Sequence, residues 1–264
     1  MRIRQLVLLS AFLLTDGGLS SKEKNWLIYF RNKDAEIIKS FQKTLKSLTG
    51  KFGYISERGD GTQYIRLVDN NLAEELFSLS RAYRTKACYN FPRCQHLSGK
   101  LSSCLLFGTI NVDGIEYPKA RIPKEVFSSK ELGNEFLKIY GSCDGAVSVV
   151  PARNKRGSLF LVRKVLFSVK HPQLNSQLTK LLKKLGYNPS QYKDQIRLTK
   201  RDDIEKFHSE IGFIDKSKIS DHSIFLSGFE KNHILNMVVD SYENPKFLLD
   251  FLIKKRPSSR LIWD

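Results

Sequence analysis

Hydrophobic and polar residues follow one another along this chain in a pattern that predicts helices and strands in an order that occurs twice. Two apolar, helix-like runs are LLSAFLLTDG at residues 8–17 and FLKIYGSCDG at residues 136–145. Each run ends in an Asp-Gly pair and is followed by a strand-like stretch. Asp16 and Asp144 lie 128 positions apart in a chain of 264 residues, so each half of the sequence has one copy.

The first half continues with residues that fit a strand, a helix, a hairpin and a second helix. A strand is predicted at 26–31, and the apolar residues of 34–48 recur on one face of an amphipathic helix. The first residue of that helix is suited to cap it and Gly50 is suited to end it. The stretch GYISERGDGTQYIRLVD then predicts two strands around the turn at 59–61, followed by a helix at 71–80.

The second half repeats this order. The tripeptide Ile-Arg-Leu occurs at 65–67 and again at 196–198, at corresponding places in the two halves. Each half therefore reads α-β-β-α-β-β-α, with a shorter first strand pair in the first half. The elements predicted in the second half are strands at 146–153, 158–169 and 193–199, and helices at 172–185 and 201–211.

A large excess of basic residues narrows the class of partner. Lysine and arginine number 44 against 27 acidic residues, which gives a formal net charge of +17 and a pI near 9.7. Such a charge favours a polyanion, because cationic side chains that neutralise phosphates release counterions. Charge alone does not separate DNA from RNA or from an acidic membrane surface. Four cysteines do not resemble a disulfide framework, which favours an intracellular location (cytoplasm, nucleoid or organelle matrix) over secretion.

The N-terminal run has some features of a secretory signal, because two arginines precede a mostly apolar stretch from Leu6 to Leu14. It lacks a small-x-small cleavage site, and a bilayer span takes about 20 apolar residues. The same pattern recurs at residue 136, where a signal peptide does not occur. We therefore expect a buried helix at both places and no membrane partner.

The two motif copies, SAFLLTDGG and LKIYGSCDG, resemble those of the single-chain LAGLIDADG homing endonucleases. The resemblance covers about residues 1–80 and 120–215, and the strings ARIPKEVFSSKELGNEFLKIY and IEKFHSEIGF support it. One apolar run ending in Asp-Gly would be weak evidence, but two copies spaced within a repeat make the match strong. The resemblance implies an α+β fold of two pseudo-twofold-related halves, each with a curved antiparallel sheet for DNA binding.

These halves give the expected domain boundaries. The first half is expected at 1–115, including a linker region from about residue 81, and the second half at 116–264. A C-terminal helical extension is expected from about residue 217, where HILNMVVDSY and PKFLLDFLIKK are helix candidates. The sequence does not decide whether this extension packs on the second half or extends the contact with DNA.

The resemblance also implies the chemistry of the site. The motif helices would lie side by side, and Asp16 and Asp144 at their ends would bind Mg²⁺ or Mn²⁺ through hard oxygen ligands. Gly17 and Gly145 are included among the metal-site residues. Metal-assisted hydrolysis would cut both strands of double-stranded DNA and leave short 3′ overhangs. A single monomeric chain would contain both sites.

Close packing of the two motif helices requires small residues on their seam. Ala11, Thr15, Gly141 and Cys143 partly meet this need. Ile139 stands where the family usually has Gly or another small residue, which puts cleavage rather than the fold in doubt. Taken singly, each aspartate could equally be a turn residue before Gly.

Further catalytic residues are expected around the metal. The resemblance implies a lysine after the closing helix of each half, which aligns Lys86 and Lys216, with Lys218 as an alternative register. A polar residue near the end of a strand is expected in the site, which selects Asn32 in the first half and roughly Ser168 in the second. A solvated surface charge is the plain alternative for either lysine.

Strand alternation predicts which residues face the DNA. At 62–68 and 193–199, Ile and Leu share one face while basic, aromatic and hydroxyl residues share the other. A half-buried sheet gives the same pattern, but acidic residues are nearly absent from these polar faces. The predicted DNA-binding residues, which sequence cannot divide into base and phosphate contacts, are Arg31, Tyr54, Ser56, Arg58, Thr62, Tyr64, Arg66, Arg153, Lys155, Arg156, Arg163, Lys193, Gln195, Arg197 and Thr199.

Residues 81–130 are the least readable part of the chain. Cys88, Cys94, His96 and Cys104 are four potential zinc ligands within 17 residues. Structural zinc sites usually contain a tight C-x2–4-C pair, which is absent here, so buried thiols and a loop histidine are the alternative. The stretch TINVDGIEYPKARIP reads as a linker between the halves that contains a short strand.

Two other functions fit the same fold. An RNA-binding maturase that assists intron splicing would bind intron RNA, and a cleavage-inactive DNA-binding protein would lack one or both acids. Both acids are present here, which favours a nuclease. An intein is disfavoured, because residue 1 is not Cys or Ser and the C-terminus RLIWD lacks a His-Asn pair. A Walker phosphate loop and a GxGxxG fingerprint are both absent.

Overall fold

The fold contains two similar α+β halves in sequence, followed by a helical extension. It was obtained as a computed structural model, which describes residues 1–22, 25–88, 100, 101, 106–220, 223 and 226–254. Within these ranges no helix is long and apolar enough to cross a bilayer. The predicted order α-β-β-α-β-β-α is confirmed in both halves.

The first half begins with the motif helix α1, which leads directly into a pair of strands. A helix, a hairpin and a closing helix follow in the predicted order. Their bounds are α1 Arg2–Thr15, β1 Gly17–Lys22, β2 Asn25–Asn32, α2 Ala35–Thr49, β3 Tyr54–Glu57, β4 Gln63–Val68 and α3 Asn70–Leu79.

A short connecting region follows, and then the second half repeats the order with longer first strands. The region contains β5 Lys100–Leu101, β6 Thr109–Val112, β7 Ile115–Pro118 and a 3₁₀ turn at Lys124–Phe127. The second half and its extension are α4 Lys130–Asp144, β8 Gly145–Arg153, β9 Leu159–Ser168, α5 Pro172–Lys184, β10 Ser190–Gln191, β11 Gln195–Leu198, α6 Arg201–Glu210, α7 Lys231–Asp240 and α8 Pro245–Lys254.

Local capping explains where the helices begin and end. The Asp34 carboxylate accepts hydrogen bonds from the backbone N–H groups of Glu36 at 2.9 Å and Ile37 at 3.3 Å, so it caps α2 as predicted. Gly50 ends the same helix in the left-handed conformation with φ of 73°. The Ser129 hydroxyl accepts from the N–H of Leu132 and caps α4, the second motif helix.

Each half has one antiparallel sheet with helices packed on one face. The strand orders are β3-β4-β2-β1-β5 and β10-β11-β9-β8. The two Ile-Arg-Leu copies form β4 and β11, the equivalent strands, and Ile65 and Ile196 are both fully buried. The Ile-Arg-Leu repeat read from the sequence is therefore structural. The sequence did not locate the short strand β10, although the predicted order included it, and did not predict β5.

Matching aromatic clusters fill the two cores. In the first half, Phe12 of α1, Phe30 of β2 and Phe41 of α2 are fully buried, with ring centroids 4.5 to 5.6 Å apart. In the second half, Phe207 of α6 contacts Phe167 and Phe213 at 6.0 and 5.3 Å. Rings at these separations add to the stability gained by burial.

The segment that follows each half makes a hydrogen bond to the residue that caps a helix: His171 of α5 after the first half and Asp34 of α2 after the second. After the first half, β6 and β7 form a two-stranded ribbon, and the Pro118 carbonyl lies 2.7 Å from Nε2 of His171, the residue that caps α5. After the second half, the backbone N–H of Lys218 donates to the second carboxylate oxygen of Asp34 at 2.6 Å. This last bond joins the two halves. The boundary expected between residues 115 and 116 lies at the start of β7 and stays a prediction.

The C-terminal extension packs on the second half. Helices α7 and α8 contact β8 and β9 on the face that also holds the core. Arg163 of β9 is held there, because its Nε donates to the Ser241 hydroxyl at 2.8 Å and its Nη2 to the Ser241 carbonyl at 2.7 Å. Its guanidinium also lies 4.5 Å from the Tyr242 ring centroid. The open question about this extension is thus resolved in favour of packing.

Candidate active site and nucleic-acid interface

The two motif helices, α1 and α4, pack against each other along their length. At their N-terminal ends, Nε of Arg4 donates to a carboxylate oxygen of Glu135 at 2.8 Å. At their C-terminal ends, the side chains of Thr15 and Cys143 share a hydrogen bond. The helices therefore run in the same direction and bring the two Asp-Gly pairs to one place.

Both motif glycines are required by close backbone packing. A Cβ atom on Gly17 would lie 2.8 Å from the Tyr29 carbonyl oxygen and 2.8 Å from the side chain of Leu13. A Cβ atom on Gly145 would lie 2.6 Å from the Gly141 carbonyl oxygen. At each Asp-Gly pair, the strand that follows therefore packs closely against the motif helix. This close packing fixes the position of the aspartate at the end of the helix.

The seam residues expected from the sequence are only partly correct. Ala11 is fully buried, and Thr15 and Cys143 meet across the seam. Gly141 faces its own sheet instead, since a Cβ there would lie 3.1 Å from the Phe167 ring. Ile139 is buried and is accommodated without separating the helices.

Asp16 is held by its own half. The Asn32 side-chain amide donates a hydrogen bond to Oδ2 of Asp16 at 2.8 Å, and the Arg31 backbone N–H donates to the Asp16 carbonyl at 3.2 Å. Burial raises the pKa of the Asp16 carboxyl to about 6, against the opposing effects of Asn32, Arg31 and Lys231. Asn32 thus lies in the site, where the sequence placed it.

Asp144 has a different environment. Burial and the negative charge of Asp16 raise the pKa of its carboxyl to about 7, and Lys231 opposes this shift. The strand registers pair Gly17 with Phe30 and Gly145 with Phe167, so the position equivalent to Asn32 is Val169. The suggested equivalence of Ser168 is therefore corrected. The two carboxyls interact electrostatically, but only Asp16 accepts a hydrogen bond from a side-chain amide at this strand position.

Lys231, the first residue of α7, is the most buried cation of the site. Only 4% of its surface is exposed to solvent. Its Nζ donates to the carbonyl oxygens of Ser142 at 2.6 Å and Gly145 at 2.8 Å, at the end of α4. Burial lowers the pKa of its ammonium group, and the nearby acids oppose this shift. It places a positive charge beside both aspartates and fixes the end of the helix that ends in Asp144.

Sequence analysis did not find Lys231. A signal was present, because a lysine at the first position of an apolar helix opposes the helix dipole, which favours acids there. Such a local mismatch is common at functional sites. The sequence could not show that the loop before α7 returns this residue to the end of α4, 87 positions earlier in the chain.

A cleft of about 950 Å³ opens at the ends of the motif helices. Lys216 lines it with a positive φ of 61°, an uncommon conformation for a non-glycine residue. Lys86 is exposed and is not among the lining residues. The cleft is lined mostly by polar and charged residues from both halves. They are Asp16, Arg31, Asn32, Lys33, Asp34, Ala35, Glu36, Ile37, Arg58, Asp60, Thr62, Ser142, Cys143, Gly145, Ala146, Lys216, Lys218, Ile219, Ser220, Gly228, Glu230 and Lys231.

The donor set at the helix ends fits a hard divalent cation. Two carboxylates and the negative ends of two helix dipoles converge there. Burial raises both carboxyl pKa values, and the charge of Asp16 raises that of Asp144 further. Oxygen ligands of this kind suit Mg²⁺ or Mn²⁺. The Gly145 carbonyl is already bound by Lys231, so a cation at that oxygen would compete with the ammonium. No cluster of three or more His, Cys, Asp or Glu residues occurs in the described ranges.

The first sheet presents a polar and aromatic face away from its core, called here the first open face. Register places Tyr54, Arg66 and Tyr29 side by side across three strands, with Tyr64 and Arg31 in the next row. The Arg66 guanidinium lies 5.1 Å from the Tyr54 ring centroid and 5.3 Å from that of Tyr64. Ser56 belongs to the same face, whereas Arg58 and Thr62 lie at the β3–β4 turn and line the cleft.

The second sheet has an equivalent face, the second open face, on the side opposite buried Ile196 and Leu198. Gln195 and Arg197 project there by alternation, and the Arg197 guanidinium lies 4.1 Å from the Tyr192 ring centroid. Arg163 projects from the opposite face toward Ser241, so we remove it from the predicted interface. The remaining predicted residues, all exposed, are Arg153, Lys155 and Arg156 at the β8–β9 hairpin tip, Lys193 before β11 and Thr199 after it.

The potential zinc ligands are not brought together by the described part of the structure. Cys88 is buried, and its backbone N–H donates to the Glu116 carbonyl at 2.7 Å. Cys94, His96 and Cys104 lie outside the described residues, so the zinc hypothesis stays a prediction.

Comparison with solved structures identifies the fold. The LAGLIDADG meganuclease I-AabMI, bound to uncleaved DNA, aligns with a TM-score of 0.57 at 11% identity, over 97% of this chain and 99% of that one. I-SmaMI, bound to uncleaved DNA in the presence of calcium ions, aligns with a TM-score of 0.54 at 13% identity, over 95% and 97%. The LAGLIDADG homing endonuclease I-LtrWI, bound to target DNA, gives 0.54 at 11% identity, over 99% of each chain. Comparisons with protein-family models and with curated protein sequences gave no match. The chain therefore has the fold of the single-chain LAGLIDADG homing endonucleases, with two motif copies that meet at its centre.

Proposed function

We propose that this protein is a site-specific endonuclease that makes a double-strand break in DNA. The observation that supports this best is the pair of partly buried carboxyls of Asp16 and Asp144, where the charge of one raises the pKa of the other, at the centre of a strongly basic molecule. Asp16 lines the cleft, and Asp144 lies between two other residues that line it, Cys143 and Gly145. Carboxyls with raised pKa values at a cleft are typical of a functional site. The similar solved structures include DNA-bound members of the same fold.

Asp16 and Asp144 would hold the divalent cations, Mg²⁺ or Mn²⁺. Bound there, a cation would activate water for attack on a phosphodiester and stabilise the leaving oxygen. The chain's own residues prepare that chemistry: Asn32 orients the Asp16 carboxylate, and Lys231 fixes the end of α4. Arg31 and Lys216 line the cleft, where their positive charges would attract a phosphate.

The two open faces would bind the DNA on either side of the cleft. A duplex major groove admits a two-stranded β-ribbon and presents a distinct pattern for each base pair. Both aspartates belong to one chain, which supports action as a monomer with one site for each strand. We propose short 3′ overhangs as the product, as the sequence resemblance implies, and an intracellular location, which the absence of a disulfide-like cysteine pattern favours.

Retention of both acids distinguishes this proposal from its alternatives. A DNA-binding protein without cleavage has no use for two buried carboxyls that destabilise each other, so their presence favours a nuclease. A maturase would use the same fold for intron RNA, and cleavage of DNA is the property that separates the two.

The test is cleavage of a plasmid library of insertion-site sequences, with Mg²⁺ and with chelator. The expected result is Mg²⁺-dependent linearisation at one sequence, lost in both Asp16→Asn and Asp144→Asn while DNA binding is retained. Asp250→Asn is the matched control, since it removes the same charge from an exposed position on α8. Selective binding of intron RNA without DNA cleavage would instead establish the maturase. DNA binding without cleavage by the wild-type protein would establish a cleavage-inactive binder.

A further inference from the structure

The two open faces differ in chemistry, although they occupy equivalent places in the two halves. The first open face is built mainly from tyrosine, arginine and serine, with one apolar pair, Leu27 opposite Val68, in the row beyond Tyr29 and Arg66. The second is largely apolar where β8 and β9 pair. Their outward positions, all within the described residues, are Ala146, Ser148, Val150 and Ala152 on β8 and Phe160, Val162, Lys164, Leu166 and Ser168 on β9. Lys164 is the one charged residue of these nine.

The apolar residues form a continuous strip and not scattered points. Val150 lies directly opposite Val162, and Ala152 lies directly opposite Phe160 in the next row. Val150 is 40% exposed, Phe160 is 46% exposed and Val162 is 38% exposed. Side chains opposite each other in an antiparallel pair are in contact, so the strip is one surface. Large contiguous apolar surface on a folded protein indicates an interaction site.

Basic groups surround this strip and indicate what covers it. Lys164 lies in the row beside Val150 and Val162, Arg197 projects from β11 on the same face, and Lys155 and Arg156 lie at the hairpin tip. An apolar surface framed by cations suits a polyanion that also presents apolar groups. In the major groove of duplex DNA, the only methyl group on an unmodified base is the C5 methyl of thymine.

We propose that Val150, Val162 and Phe160 read thymine methyl groups, so that the half of the DNA target bound by the second sheet is thymine-rich. This inference rests on the proposed function and specifies its substrate. The half bound by the first sheet would instead be read mainly by hydrogen bonds, since Arg66 is suited to guanine acceptors. The full target is therefore asymmetric in the chemistry that recognises it.

Replacing thymine by uracil tests this directly, because it removes the methyl group and leaves every hydrogen-bonding group in place. Once a target is selected from a random library, uracil is placed in one half at a time and affinity is measured in chelator. Binding should weaken about fourfold for each contacted methyl in the second half. Uracil in the first half should change affinity by less than about twofold.

A protein variant gives the matched measurement. Val162→Thr exchanges a methyl for a hydroxyl of similar size in a residue that still favours strands. It should bind the thymine target more weakly and lose part of its discrimination between thymine and uracil, since Val150 and Phe160 remain. Ile55→Thr is the control, because Ile55 is similarly exposed but projects from the other face of the first sheet. It should behave as the wild type.

The outcomes separate this inference from the proposed function. Tight, sequence-selective DNA binding that is insensitive to uracil in either half would overturn the thymine inference and leave the endonuclease intact. Absence of selective DNA binding would overturn both. Self-association of the wild type that Val162→Thr abolishes, with no effect on DNA affinity, would assign the strip to a second copy of this chain and also overturn the inference.

Discussion

The Asn32 side-chain amide donates a hydrogen bond to the Asp16 carboxylate at 2.8 Å, and the equivalent position in the second half is Val169. Only one of the two motif acids thus has an amide from its own strand to orient it. Asp144 depends instead on Lys231, which reaches the end of its helix from the C-terminal extension. One fold, repeated twice, supports its two acids by different means.

This asymmetry predicts unequal loss of strand cleavage. Asn32→Ala should slow cutting at the site that depends on Asp16 by about tenfold to a hundredfold, because its carboxylate loses its orientation and its pKa rises further. Nicked plasmid should accumulate before linear plasmid. Asn111→Ala, which alters an exposed turn between β6 and β7, should leave the ratio unchanged. Equal slowing of both strands would contradict independent support of the two acids.

Lys231→Met should reduce cleavage while preserving DNA affinity within a few-fold. The variant removes a buried charge beside both acids and leaves the carbonyls of Ser142 and Gly145 without their donor, at a cost of about 1–3 kcal/mol in the free energy of unfolding. Cleavage rate and thermal stability should be measured together.

Lys206→Met separates those two effects. Lys206 Nζ also donates to a carbonyl at a helix end, that of Leu185 at 2.7 Å, but it lies outside the cleft. This control should lower stability and leave cleavage unaffected. If Lys231→Met loses no more activity than Lys206→Met, the role of Lys231 is structural.

Cleavage should depend on pH at a cation concentration below saturation. Burial raises the pKa of Asp16 to about 6 and of Asp144 to about 7, and a cation binds only the ionised carboxylates. The rate should therefore rise between pH 6 and pH 8 and then level off. Raising the Mg²⁺ concentration should move the rise to lower pH, because the cation displaces the protons. A profile that ignores Mg²⁺ concentration would count against metal binding by these acids.

The same two acids should destabilise the protein in the absence of a cation. Their pKa values are higher folded than unfolded, so the folded state binds more protons from about pH 4 to pH 7, and stability falls as pH rises through that window. Asp144→Asn should be more stable than wild type by about 2 kcal/mol at pH 8 in chelator. The gap should close toward pH 4. Denaturant unfolding at a series of pH values measures it, and wild-type stability that does not fall with pH would refute the raised pKa values.

Arginines on the open faces should contribute to binding and not to cleavage chemistry. Arg66→Ala and Arg197→Ala should each weaken DNA binding by about 1–3 kcal/mol, with a smaller salt dependence. Arg163→Ala should instead lower the unfolding temperature, because Arg163 anchors Ser241 on the other side of the sheet. Full affinity in both face variants, measured in fluorescence anisotropy titrations, would remove them from the interface.

The sequence predicted what local patterns encode. Capping by Asp34 and Gly50, the hairpin at residues 59–61 and the alternation around Ile65 depend on neighbours in the chain, and the structure confirms all three. Asn32 followed from its place at the end of a strand, in light of the resemblance. These features need no knowledge of distant contacts.

Long-range placement could not be predicted in the same way. Arg163 has the charge of a typical surface residue, yet it shares a face of β9 with buried Val165 and Phe167, and α7 and α8 pack over that side of the sheet and bind it. Gly141 is small, but its direction from the helix points it to Phe167 and not to α1. Lys231 approaches the acids only because the start of α7 lies at the end of α4. Each depends on how elements far apart in sequence come to lie together.

The hydrogen bond from the Lys218 backbone to Asp34 has a consequence for the DNA as well as for the protein. It holds the segment after the second half against the first half. The two motif helices are also joined to each other near both ends, by Arg4 with Glu135 and by Thr15 with Cys143. Such a frame has little freedom to alter the distance between the two carboxyls. If the protein cleaves DNA as proposed, the duplex and not the protein would change shape to bring its two target phosphates into place. We expect easily deformed base steps at the centre of the target to be favoured even where no side chain touches a base.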